Sequence, residues 1–161
     1  ALTVLPTMIR PRSAGSARLR SADPRDKLAI DPGFLTAQRD TQTLLDGIAL
    51  VREILAHPAV APEITAELEP GPDTFSPERI KAELPRRACT VYHPVGTCRM
   101  GSDERAVVDP ELRVRGVAGL RVADASIMPR ITGGNTNAPT IMIGELASDL
   151  IRGRRLGALE V

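Results

Sequence analysis

The sequence reads as an α+β chain, on three observations. Residues 44–55 repeat apolar side chains on one helical face, short β-like runs fill residues 106–124 between Asp-Pro and Gly turns, and a second helical period follows Pro139. The first segment, "ALTVLPTMIRPRSAGSARLRS", opens on apolar and β-branched residues and then alternates Ala17, Leu19 and Ala22 with polar neighbours. It predicts strand, Pro/Gly turn and strand, a hairpin within residues 1–21. "ADPRDKLAIDPGFLT" is punctuated by Asp-Pro and Pro-Gly and reads as loop.

The helix is carried by Leu44, Ile48, Val51 and Leu55, with Asp40 as candidate N-cap and His57-Pro58 as its end. His57 reads as a surface residue there. "APEITAELEPGPDTFS" is a Pro-rich acidic connection. Ser76 then caps a short helix with Pro77 in its first turn, and Pro85 interrupts it. "AVVD", "LRVRG" and "LRVAD" are the β-like runs, the last ending at Asp124. After the loop "RITGGNTNAPT", Met142, Ile143, Leu146, Leu150 and Ile151 show helical spacing, with Asn137 as N-cap.

Composition excludes several classes of function. With 161 residues, 42% hydrophobic and 25% charged, the chain suits one ordinary domain and its core. A net charge of +1 argues against a dedicated nucleic-acid binder. The basic stretches "RPRSAGSARLR" and "RGRR" read as solvated faces. No apolar run approaches the ~20 residues that span a bilayer, so membrane association is not indicated. Cys89 and Cys98, nine apart with one nearby histidine, make neither a disulfide framework nor a metal site. Reduced thiols point to a cytoplasmic protein.

Chemistry concentrates in two loops. "TVYHPVGTCRMG", residues 90–101, places the chain's single tyrosine beside one of its two histidines, His93, among Pro94, Gly96 and Gly101. Read alone, it is either a turn after a helix or a constrained site. "GGNTNAPT" joins two glycines, which let backbone approach a ligand, to Asn135 and Asn137 and to a helix N-terminus with free N–H groups. A Gly-Asn cap of that kind is ordinarily structural, but it also suits an electron-rich ligand atom. Asp124 ends a strand-like run, where ligands of α/β sheets bind.

Taken in order, "YHPVGTCRMG", "VVDPELRVRGVAGLRVADASIMP" and "GGNTNAPTIMIGELASDLI" resemble the C-terminal region of the glucose–methanol–choline (GMC) family of FAD-dependent oxidoreductases, most closely its bacterial choline-dehydrogenase-like and alcohol-dehydrogenase-like members. The resemblance implies strands of a substrate-binding sheet with helices, plus the last strand and C-terminal helix of an α/β FAD-binding domain. It divides the chain into a substrate-binding part (1–91), a catalytic loop and crossover (92–118), a C-terminal segment of the FAD-binding domain (119–155) and a tail (156–161). It implies FAD as cofactor and an alcohol as substrate, oxidised at CH–OH by hydride transfer to flavin. His93 would be the catalytic base or oxyanion-stabilising residue, with Asn135 as its partner. Asp124 and Ala125 would contact the ribityl–pyrophosphate region of FAD, and Thr136 and Asn137 would lie beside the flavin ring. The family also holds lyases that cleave cyanohydrins without net redox chemistry. No GxGxxG fingerprint occurs in this chain, so the expectation is a C-terminal portion completed by an N-terminal FAD-binding portion.

Overall fold

The computed structural model describes residues 1–74 and 76–154, so the expected tail at 156–161 lies outside the described residues. They form two compact units, Ala1–Thr90 and the stretch from Val91 onward. Among the described residues no helix is long and apolar enough to cross a membrane.

The first unit is built on helix α1, Gln38–Ala56. The faces that carry Leu44, Ile48, Val51 and Leu55 are half-buried, as their spacing predicts. The helix stops at His57, which is exposed and precedes Pro58. Asp40 is not the N-cap. Ala37 holds that position without a side-chain cap bond, and Asp40 sits one turn inside, 1% exposed. Its carboxylate accepts the backbone N–H of Arg12 at 2.9 and 3.0 Å and that of Ser13 at 2.7 Å. A carboxylate near a helix N-terminus is also favoured by the dipole.

This clamp explains why the first segment is not the expected hairpin. Pro6 and Pro11 lack the N–H a sheet ladder needs, and the next N–H groups go to Asp40. The two-stranded sheet forms further on instead. Strand β1, Ser16–Arg18, pairs antiparallel with β2, Ala29–Asp31, in a stretch whose punctuation predicted loop. The connection is a turn fastened by Asp23, which accepts from the Arg25 N–H and guanidinium. Gly15 lets the ends of the hairpin meet, because a Cβ there would collide with the Asp31 carbonyl.

Helix α2, Pro77–Arg87, begins as predicted: Ser76 accepts from the Arg79 N–H at 3.3 Å and Pro77 opens the first turn. Pro85 does not interrupt it. The helix continues to Arg87 and closes with the Ala88 N–H on the Leu84 carbonyl at 2.8 Å. A proline this close to the end removes one intrahelical bond and leaves no long C-terminal segment to kink. Ile80 and Leu84, one turn apart, are its buried face and α2 packs against α1.

The second unit has its own core: Val108, Leu112, Ile127, Met128, Ile143 and Ala147. The β-like runs at 106–124 supply part of it but do not become strands. They meet at single bridges, Met100 with Val108, Val108 with Val114 and Arg113 with Arg121. The reason is local. Asp109 draws the N–H groups of Glu111 and Arg113 to its carboxylate, and Leu112 takes a left-handed φ of 65°, so the chain turns before a ladder can extend. Helix α3, Asn137–Ile151, covers the core with Ile143, Ala147 and the half-buried Leu150, while Met142 and Ile151 are exposed.

The Asp40 clamp yields a stability prediction. Burial pushes its carboxyl pKa up, but hydrogen bonds from Ser13 and the Arg12 backbone, with the Arg12 charge, outweigh it and hold the group below its ordinary value. A pKa lowered by folding stabilises above the unfolded value and is lost as pH falls through the folded one. Asp40→Ala should therefore cost about 2–4 kcal/mol near neutral pH. Denaturant unfolding should show the gap between parent and variant shrinking in acid, and a pH-independent gap would contradict the clamp.

Candidate active site

The two loops singled out in the sequence meet in the second unit. His93 Nδ1 lies 3.0 Å from Thr136 Oγ1 and 3.4 Å from the Thr136 backbone nitrogen. Thr136 is 7% exposed, and its position is the N-cap of α3. The expected N-cap, Asn137, is instead the first helical residue. Thr136 makes no side-chain cap bond, because its hydroxyl is turned to His93. Its carbonyl receives the Thr140 N–H at 3.0 Å and the Thr140 hydroxyl at 2.6 Å, which fixes the residue from the helix side.

The histidine loop is held from below. The Cys98 N–H donates to the Ser126 carbonyl at 3.0 Å and the Met100 N–H to the Ile127 carbonyl at 2.7 Å. Ser126 and Ile127 belong to a short 3-10 helix, Ala125–Ile127, whose N-cap is Asp124. The Asp124 carboxylate accepts the Ser126 N–H at 2.7 Å and remains exposed. Gly96 turns the loop with φ 92°, and Tyr92, immediately before the histidine, has φ 62° and is 82% exposed. A bulky residue in the left-handed region carries strain of about 1–3 kcal/mol, and such residues cluster at functional sites. Near the end of the loop, the Arg99 guanidinium hydrogen-bonds Asp103 and holds its carboxyl well below the carboxylate range.

His93 is half-buried and joined to Thr136 rather than to Asn135. Asn135 and Asn137 flank Thr136, and both are exposed at the start of α3. Asp124 and Ala125 open the 3-10 helix beneath the loop. Residue-level reading missed the His93–Thr136 bond. A hydroxyl residue just before a helix was its signal, but that signal ordinarily means a cap. Among the described residues no group of His, Cys, Asp and Glu can hold a metal ion.

A family model described as GMC oxidoreductase matches residues 11–144. The chain belongs to that family. It is 50% identical over 141 residues to an alcohol dehydrogenase [acceptor] of Pseudomonas putida, covering 88% of this chain and 26% of the relative. It is 46% identical over 159 residues to choline oxidase of Arthrobacter globiformis, covering 96% of this chain and 29% of that protein. Among solved structures, pyridoxine 4-oxidase from Mesorbium loti matches with a TM-score of 0.83 at 34% identity, over 92% of this chain and 29% of that one. The chain thus spans about a quarter of the length of these GMC relatives.

The Asp124 turn gives a prediction that separates geometry from charge. Asp124→Ala should lower stability by about 0.5–2 kcal/mol, because the Ser126 N–H loses its acceptor. Asp124→Asn keeps an acceptor oxygen and should stay near the parent. Thermal unfolding of the two variants checks this, and equal losses would show that the carboxylate charge rather than the cap is what matters.

Proposed function

We propose that this segment is the C-terminal catalytic portion of an FAD-dependent oxidoreductase that converts the CH–OH group of an alcohol to a carbonyl. The observation that carries the proposal is the family match across residues 11–144, which includes His93, Asp124, Ala125, Asn135, Thr136 and Asn137. Relatives named for alcohol and choline oxidation at 46–50% identity support the substrate class.

The residues present fit a flavin cofactor. Helix α3 opens without a side-chain cap, so its first N–H groups and positive dipole end are free for an electron-rich ring atom. Ile141 and Met142, in the same first turns, are 60% and 61% exposed and offer apolar surface next to that positive end. Thr136 and Asn137 would border the ring at this end. Asp124 keeps an exposed carboxylate that can accept from ribityl hydroxyls, with Ala125 beside it. When bound, the flavin supplies the hydride acceptor.

The chain's own residues act on the other half of the reaction. Hydride leaves carbon more readily as negative charge develops on the alcohol oxygen. His93 would hold that oxygen, by taking its proton or by donating to the charge that develops. Asn135, exposed at the start of α3, would add a neutral amide donor that does not titrate in the working pH range. The cofactor's remaining contacts, including its adenine half, would come from the N-terminal portion of the same enzyme.

The test uses the full-length, FAD-loaded protein. Mixing it anaerobically with short alcohols and choline should bleach the flavin, whereas a cyanohydrin lyase would leave it oxidised. His93→Ala should slow that bleaching about 10²–10⁴-fold at unchanged flavin content, and Asn135→Ala should slow it less. A folded, flavin-loaded His93→Ala enzyme that reduces at the parent rate would remove His93 from the chemistry.

A further inference from the structure

We infer that Thr136 is a positioning residue that sets the tautomer of His93, so that Nδ1 is an acceptor and Nε2–H is the donor offered to the substrate oxygen. The second half rests on the proposed alcohol oxidation; the first half rests on geometry alone.

A neutral imidazole carries one proton, on either nitrogen, and the partner of one nitrogen decides which. Two groups of Thr136 face Nδ1. The backbone N–H, at 3.4 Å, is a donor and nothing else, so the atom it points to must bring a lone pair. The hydroxyl, at 3.0 Å, can play either part, and a lone pair at Nδ1 makes it the donor. Had Nδ1 carried the proton, that proton would face the backbone N–H.

The surroundings leave the hydroxyl few other uses. Thr136 is buried, and its own carbonyl is taken by both the N–H and the hydroxyl of Thr140. No buried side-chain nitrogen or oxygen among the described residues lacks a partner, and the ring is bonded at Nδ1; Nε2, with no partner among the described residues, therefore reaches the surface. The ring thus has one nitrogen fixed by Thr136 and one open, and the open one holds the hydrogen.

The consequence narrows the role of His93. A neutral ring already protonated at Nε2 cannot take a hydroxyl proton there. It donates to the oxygen and strengthens that bond as negative charge develops. His93 thus gives a hydrogen bond, while the hydroxyl proton passes to a water molecule and the hydride to the flavin. Thr136 does not touch the substrate. It acts by holding the ring in the one tautomer and orientation that aims Nε2–H outward.

Two measurements on the full-length, FAD-loaded enzyme decide the matter. In the first, histidine is labelled with ¹⁵N and the His93 signals are identified by their loss in His93→Gln. Where the ring is neutral, Nδ1 should resonate in the unprotonated range and Nε2 in the protonated range. The reverse assignment overturns the inference. The second compares Thr136→Val, which keeps the shape and removes the hydroxyl, with Thr136→Ser, which keeps it. The limiting rate of flavin reduction should fall about 10–100-fold in the valine variant with substrate affinity little changed, and serine should restore it to within a few-fold. Equal impairment of both variants, or none in the valine variant, would refute the positioning role. Should no alcohol reduce the parent flavin, the proposed function fails while the NMR measurement still decides the tautomer.

Discussion

Thr136 stands where a helix N-cap stands, and its hydroxyl is bonded to His93 instead. That single bond joins segments 43 residues apart and organises the site around it. An uncapped helix start costs about 1 kcal/mol relative to a capped one. Here the bond to the imidazole offsets that loss, and it leaves two things useful to a catalyst. The first N–H groups of α3 stay open toward a ligand, and the histidine acquires a fixed orientation without a neighbouring charge. The Thr136 carbonyl meanwhile accepts the Thr140 N–H, the first intrahelical bond of α3, and the Thr140 hydroxyl beside it.

The loop brings its own constraint to the meeting point. Tyr92 in the left-handed region and Gly96 at φ 92° force the chain to turn on both sides of His93. Such a conformation persists only where the surroundings over-determine it. They do so through the N–H groups of Cys98 and Met100, which are bonded to the 3-10 helix, and through Ile127 and Met128, which anchor that helix in the core. Asp124 caps the same helix. Removing a buried side chain such as Ile127 therefore disturbs the loop, the Asp124 turn and the start of α3 together, because all of them rest on one cluster.

What could be read from the sequence follows the range of the forces involved. Helices α1, α2 and α3 were legible because a 3.6-residue apolar period and the Ser76-Pro77 start are local signals. The caps were less so. Asp40 and Asn137 have the chemistry of an N-cap, yet Asp40 is drawn inside the helix by the Arg12 and Ser13 N–H groups, and Asn137 is displaced by one residue because Thr136 answers to His93. The sheet was misplaced for a similar reason. Alternation in residues 1–21 promised strands, but Pro6, Pro11 and the Asp40 clamp remove the donors a ladder requires. The runs at 106–124 look like strands and end as single bridges, since the Asp109 carboxylate competes for the same N–H groups. At the site, His93 and the Gly-Asn loop were visible as a pairing of loops through family resemblance. Which side chain of "NTN" meets the imidazole depends on the first turn of α3, and spacing alone does not determine that.

The chemistry of that partner has a further consequence. A carboxylate behind a histidine accepts the Nδ1 proton, leaves Nε2 free as a base and stabilises the imidazolium that results, as in the Ser-His-Asp arrangement. A backbone N–H and a hydroxyl do the opposite. The N–H asks Nδ1 for a lone pair, and neither group brings a negative charge to the ring. No aspartate or glutamate is bonded to His93 among the described residues. Carboxylates in the loops of the same unit serve other donors: Asp103 takes Arg99, Asp109 takes Arg113, and Asp124 takes the Ser126 N–H. In the proposed alcohol oxidation, a histidine supported in this way would hold the charge that appears on the substrate oxygen while the hydride leaves the adjoining carbon. The neutral support of the ring, the open helix N-terminus and the neutral amides of Asn135 and Asn137 share one property. In the proposed reaction each would serve a developing negative charge, directly or by holding the ring that meets it, without bringing a negative charge of its own.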